Sequence, residues 1–217
     1  MYVNLRHIIY GVIILRKTKK DAEQTKALIL KVALNIFSEK SYEISTLNDI
    51  ASAAGLTRGA IYWHFKDKND ILKELTTIYL GEFLNKLNFQ LYIEGEDSLK
   101  TIKKLFDLYF EHFLDNESNM KFKKIIDGKM SFNENNPFVL EIFKEIIDKL
   151  LYDLNQTIIY GQGRNEIRKD IDATFLTTTI ISLLMGLDKI MNLNKHYENI
   201  LNNREKFIQD TLAILKG

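Results

Sequence analysis

Residues 57–68 read Thr-Arg-Gly-Ala-Ile-Tyr-Trp-His-Phe-Lys-Asp-Lys. This segment concentrates a hydroxyl, a guanidinium, a phenol, an imidazole and ammonium groups beside two small residues. Groups of this kind meet phosphate oxygens and base edges. Read as a short helix capped by Thr57, the segment places Ile61 and Phe65 at i and i+4 on one side. With Leu56 they should turn inward onto Phe37, Ile50 and Ala54. Thr57, Arg58, Gly59, Tyr62, Trp63 and His64 are then left outward or to the side. Thr57, Tyr62 and His64 offer donors to phosphate oxygens, and Arg58 reaches a guanine edge or a phosphate. Gly59 and Ala60 are small enough for close backbone approach. Lys66 and Lys68 fall at the start of the next helix, where positive charge and amides favour an anion.

The elements that must hold these side chains are legible on both sides. Thr46-Leu47-Asn48-Asp49 has the form of a capping box, which starts a helix continued by Ile50, Ala51 and Ala54. Gly55 suits the left-handed turn that stops it. Two short helices around a glycine turn make residues 46–65 a helix-turn-helix, and Thr46 joins the expected contacts at its entrance. Upstream, Leu28, Ile29, Val32, Ala33, Ile36 and Phe37 recur with a helical period over Asp21–Lys40. Downstream the same period persists in segment after segment, with Pro137 in a loop and Gly161-Gln162-Gly163 ending a long helix. The expectation is an all-α chain of about nine helices. It divides into a helix-turn-helix domain at 16–66 and a larger helical domain at 67–217.

Ile50-Ala51, Ala54-Gly55-Leu56 and the run Thr57–Lys68 resemble the TetR family of transcriptional repressors, most closely its AcrR-like multidrug-efflux branch. Ile29-Leu30, Ala33 and Phe37 match that family's opening helix, and Arg16-Lys17-Thr18-Lys19 its basic N-terminus. Ser41 stands where the family usually has glycine, at a cost of ~1 kcal/mol if it takes a left-handed turn. The resemblance implies a homodimer on a palindromic operator, paired through the last two helices. It implies reading heads ~34–36 Å apart. It also implies a pocket in the central helices for a small lipophilic or cationic inducer that swings the fourth helix, with a drug-efflux transporter as the controlled gene. Phe83, Phe106, Tyr109, Phe110, Phe113, Phe122, Met130 and Tyr152, with Asn155, are the candidate pocket residues. For any one aromatic, ordinary core packing is the simpler reading; as a set they suit a flat, greasy ligand. Thr177, Thr178, Thr179, Ser182 and Gly186 suit either a dimer interface or a pocket wall.

Composition narrows the alternatives. The 217 residues carry a formal charge of +1, but residues 1–66 hold ten Lys/Arg against five Asp/Glu, and residues 67–217 hold twenty against twenty-four. A basic head on an acidic body suits a polyanion met by the head alone. There is no cysteine, hence no disulfide framework, which fits a reducing cytoplasm. The four histidines lack metal-ligand spacing, so no metal and no cofactor are expected. The glycines at 161 and 163 follow no strand, and no nucleophile motif is present, so no enzyme is expected. The apolar run at 8–15 is shorter than the ~20 residues of a bilayer span, and its positive charge follows rather than precedes it. Residues 1–15 are read as an extension, from a start codon placed upstream of the true start near Val12 or Leu15. Two other readings stay open. One is a TetR-type regulator of a metabolic operon, or an activator without a small ligand. The other is a helical carrier or enzyme with a relic head domain.

Overall fold

The computed structural model describes residues 5–88, 95–127, 137–193 and 202–216, with the backbone alone at 5–18, 88, 188–189 and 191–193. Every regular element among the described residues is helical. In chain order they are α1 (Leu5–Lys40), α2 (Leu47–Ala54), α3 (Arg58–His64), α4 (Lys68–Asn88), α5 (Ser98–Phe113), α6 (Glu117–Asp127), α7 (Pro137–Gly163), α8 (Ala173–Leu193) and α9 (Arg204–Lys216). The chain forms two compact units, Met1–Leu75 and Thr76–Gly217. No described helix is long and apolar enough to cross a membrane.

In the first unit α1 packs on α2, and α2 on α3. Ile29, Ala33, Leu34, Phe37, Ile50, Ala51, Ile61, Phe65, Ile71, Leu72 and Leu75 are buried. Each large apolar side chain sealed in this way contributes ~1.5–3 kcal/mol. Leu28 departs from expectation: it is 41 % exposed, because the buried stripe of α1 turns toward Leu34 instead. The helix also begins earlier than expected. It runs unbroken from Leu5 through Arg16–Lys20, a stretch rich in Arg and Lys, which carry little helix penalty.

Ser41 ends α1 with φ +75°, the left-handed conformation anticipated for it. Its hydroxyl donates to the Glu43 carboxylate, and its carbonyl accepts from Ser45 Oγ at 2.5 Å. Gly55 takes φ +66° after α2, and the Leu56 amide closes the turn onto the Ala51 carbonyl at 2.9 Å.

In the second unit α5 packs against α6, α7 and α9, α7 against α8, and α6 against α8. Asp97 caps α5 by accepting the Lys100 amide at 2.9 Å. Two loop assignments are corrected here. Pro137 is the first residue of α7, a position where its missing amide costs nothing. The glycines at 161 and 163 lie inside the last turn of α7 rather than beyond it. A Cβ on Gly161 would stand 2.8 Å from Ile167 Cδ1 and from the Cβ and Oγ of Ser98, so the glycine lets α7 and the start of α5 meet. Met130 and residues 194–201 lie outside the described residues.

Candidate functional site

The capping box at α2 is complete. The Asp49 amide donates to Thr46 Oγ1 at 3.1 Å, and the Thr46 amide returns to Asp49 Oδ2 at 2.9 Å. Thr46 Oγ1 also donates to Asp49 Oδ2 at 2.6 Å, and Lys40 lies 3.2 Å from the other carboxylate oxygen. The Thr46 bonds, then Lys40, hold the Asp49 carboxyl below its ordinary range. Thr46 is exposed as expected, but its hydroxyl gives up the Asp49 bond if it donates to a phosphate.

Thr57 caps α3 by accepting the Ala60 amide at 3.2 Å. A hydroxyl that accepts in this way still has its proton to donate. Ile61 is fully buried and Phe65 is 3 % exposed, so the inner face of α3 is sealed. The outer face is the reverse: Tyr62 is 52 % and Trp63 72 % exposed, and Thr57, Arg58, Gly59 and Lys66 are exposed as well. A Cβ on Gly59 would meet only Thr57 Oγ1 at 3.9 Å, so the chain's own packing does not require glycine there. His64 is half-buried, edge-to-face with Trp63 at 4.5 Å. Burial, and then the charge of Lys26, lower its pKa, so the imidazole is neutral at pH 7 and carries one N–H. All eight residues expected to contact DNA therefore lie in α2–α3 or its margins, and seven of them are exposed.

The second unit contains a cavity of ≈ 90 Å³. Its walls come from five helices: Leu80 and Phe83 of α4, Leu105, Tyr109 and Phe113 of α5, and Phe122, Lys123, Ile126 and Asp127 of α6. Phe143, Ile146, Ile147 and Leu150 of α7 and Ile181, Leu184 and Met185 of α8 complete it. Of the candidate pocket residues, Phe83, Tyr109, Phe113 and Phe122 meet there. Phe83 lies 4.7 Å from Phe113, and Tyr109 5.3 Å from Phe113, centroid to centroid. The other described candidates do not join them. Phe106 and Phe110 are buried, each 6.3 Å from Phe207 of α9. Tyr152 is 67 % exposed: two residues beyond Leu150 on a helix, it turns some 200° away from the cavity. Asn155 donates to Thr177 Oγ1 at 3.3 Å and joins α7 to α8. Glu111 of α5 is exposed.

The model of "Bacterial regulatory proteins, tetR family" matches residues 29–75, the segment that builds this helix-turn-helix. Residues 29–75 of this chain are thus similar to the TetR-family head. The "HTH-type transcriptional regulator AcrR" of Shigella flexneri is 39 % identical over 120 residues, 54 % of each chain. That alignment spans about half the length of AcrR. The "HTH-type transcriptional regulator TtgR" of Pseudomonas putida is 25 % identical over 93 % of this chain and 96 % of its own. Among solved structures, NalD of Pseudomonas aeruginosa superposes with a TM-score of 0.73 at 22 % identity, over 89 % of this chain and 98 % of its own. NalD is described as the secondary repressor of the MexAB-OprM multidrug efflux pump.

Within this TetR-type head, two features escape sequence reasoning. Lys68, expected to face an anion, donates instead to the carbonyls of Tyr42, Glu43 and Ser45 at 2.8, 2.9 and 3.3 Å, and its ammonium lies 4.4 Å from the Tyr42 ring. The Tyr42 hydroxyl donates to Asn69, and burial, with Asp67 and Glu43 nearby, pushes its pKa above the ordinary tyrosine range. Lys26 pairs with Glu74 at 2.8 Å and lies 5.8 Å from the Phe65 ring, tying α1 to the first turns of α4. Neither pairing has a sequence signal, because each joins residues more than twenty positions apart.

Proposed function

We propose that this chain is a DNA-binding transcriptional repressor that holds its operator through the outer face of α3 and releases it when a small, largely apolar molecule enters the second unit. The observation that carries the reading is the contrast between the two faces of α3. One is sealed by Ile61 and Phe65, and the other leaves a tyrosine and a tryptophan in solvent. Large aromatics left uncovered in this way mark a surface that a partner covers. Arg58, Lys66 and the Thr57 cap beside them give that partner a phosphate backbone and base edges. Gly59, which the chain's own packing does not demand, allows a backbone to come close.

The cavity favours a regulator with a small ligand over one without. The exposed face of α8 favours a homodimer: Phe175, Met185 and Ile190 are 65, 40 and 53 % exposed, with Thr178 and Ser182 between them, and Ile214 of α9 is 40 % exposed. A Cβ on Gly186 would meet nothing within 4 Å, which leaves room for a second copy. The relation to AcrR, and the fold shared with NalD, support an efflux transporter as the controlled gene.

The test is a gel shift with DNA flanking the chain's own gene, at 50 and 200 mM salt, for wild type and for Tyr62→Ala with Trp63→Ala. The wild type should bind with a steep salt dependence, and the double variant should not. Binding that is equal for both proteins places the contact elsewhere. Transcript levels in a deletion strain then decide whether a neighbouring transporter gene rises.

A further inference from the structure

The cavity walls are aliphatic and aromatic except at two places. The first is the pair Lys123–Asp127, one turn apart on α6, whose ammonium and carboxylate are in direct contact. Lys123 and Asp127 each hold further interactions as well, so neither charge turns to a ligand without losing a partner. The second is Tyr109. Its side chain is 7 % exposed, and its hydroxyl is a buried polar atom with no hydrogen-bond partner. Among the described residues only one other buried side-chain atom is in that condition, Ser98 Oγ, which lies where Gly161 brings α7 against α5.

These facts constrain the ligand. A cation or an anion entering the cavity brings a net charge into apolar surroundings where the one ion pair is already mutually satisfied. An unpaired charge in such surroundings is strongly disfavoured. A neutral molecule carries no such penalty. If it has one oxygen, it also supplies the bond that Tyr109 lacks. From these contacts we infer that the cavity takes an uncharged, ring-sized apolar molecule with a single hydrogen-bonding oxygen, held by the Tyr109 hydroxyl. The inference rests on the proposed role of this cavity as the seat of the small molecule. It narrows the lipophilic or cationic inducer of the family resemblance to a neutral one.

The size of the cavity agrees. At ≈ 90 Å³ it is below the volumes of drug-sized pockets, and closer to an engineered cavity of about 150 Å³ that holds benzene. Met185, 40 % exposed, stands at its edge as a flexible wall that accommodates a somewhat longer ligand.

Four probes of similar size test the inference by ligand-observed NMR titration of the full chain at pH 7. They are acetophenone, α-methylstyrene (the same shape without the oxygen), benzylammonium and benzoate. Acetophenone should bind at least tenfold more tightly than either ion. Tyr109→Phe should weaken acetophenone about three- to tenfold and leave α-methylstyrene unchanged. Lys123→Met should raise the affinity for benzylammonium, and Asp127→Asn that for benzoate, which also locates the probes beside the pair. Ions that bind wild type as tightly as acetophenone overturn the inference, as does a Tyr109→Phe variant that binds both neutral probes as before. A wild type that shifts DNA but binds none of the four overturns the inference while DNA binding stands. A wild type that shows the expected selectivity but shifts no DNA overturns the repressor reading alone.

Discussion

The ammonium of Lys68, the first residue of α4, donates 2.8 Å to the carbonyl oxygen of Tyr42, in the loop between α1 and α2. Two more carbonyls of that loop, those of Glu43 and Ser45, converge on the same nitrogen. The loop turns through the left-handed Ser41 and leads directly into the Thr46 cap. Lys68 thus gathers carbonyls that no helix satisfies and holds the entrance of the helix-turn-helix.

Lys68→Met keeps the aliphatic stem and removes the charge and all three bonds. The expected cost is about 1.5–3 kcal/mol of stability in chemical denaturation, the range for hydrogen bonds to a charged group. DNA affinity should fall with the loosened Thr46 entrance, and its salt dependence should keep the same slope. A slope flatter by about one unit would mean that Lys68 contacts a phosphate instead.

Arg58 and Lys66 are both exposed, and the roles proposed for them at a DNA interface differ. Arg58→Ala should weaken operator binding by about 1–3 kcal/mol and relax sequence preference at one position if it reads a base. An equal loss on every sequence makes it a phosphate contact. Lys66→Ala should weaken all sequences alike and flatten the salt slope by about one. Binding isotherms on operator and scrambled DNA at several salt concentrations separate the two.

Gly161 is a matter of space alone. A methyl group there would sit 2.8 Å from Ile167 Cδ1 and from Ser98, whose own amide donates to Glu166 at 2.9 Å. Gly161→Ala should therefore cost about 1–3 kcal/mol by overpacking, despite the better helix propensity of alanine. Gly163→Ala, with nothing within 4 Å, is the control and should be neutral or stabilising. Urea denaturation of the two variants reads the difference.

His112 gives the second unit a pH dependence. It is 1 % exposed, with Nε2 3.0 Å from the Tyr79 carbonyl and Nδ1 3.2 Å from the Asn119 amide nitrogen. The carbonyl requires a proton on Nε2, and the amide donor requires a lone pair on Nδ1, so the ring is neutral. Burial lowers its pKa below the ordinary 6.5, with Lys86 acting in the same direction and the Tyr79 bond and Glu82 opposing. On acidification the unfolded chain then takes up a proton that the folded chain refuses. Stability should be complete above pH ~6.5 and decline as the pH falls below it. In thermal melts from pH 7.5 to 5.5, the wild type should lose more than His112→Gln. Parallel profiles would assign the acid sensitivity to other groups.

Much of the first unit was legible without coordinates, because its signals are local. A capping box needs residues three apart, a glycine turn needs one residue, and the inward pair Ile61 and Phe65 needs a spacing of four. The alternating faces of α3, and the exposure of Tyr62 and Trp63, follow from those spacings alone. The pocket was legible only in part. Helical periodicity marked Phe83, Tyr109, Phe113 and Phe122 as apolar-face residues, yet marked Phe106 and Phe110 equally. What separates them is which neighbouring helix covers each side of α5, and that depends on contacts between segments distant in the chain.

What the amino-acid order determined was therefore the helices, their caps and the exposed outer face of α3, each set by interactions within a turn or two. Tertiary structure alone decided the rest. It turned Lys68 from an anion contact into the clasp of the Tyr42 loop. It placed Tyr152 in solvent, and it left the Tyr109 hydroxyl buried without a partner. The physical reason is the same in each case: whether a polar group is satisfied, and by what, depends on the atoms that folding brings to it.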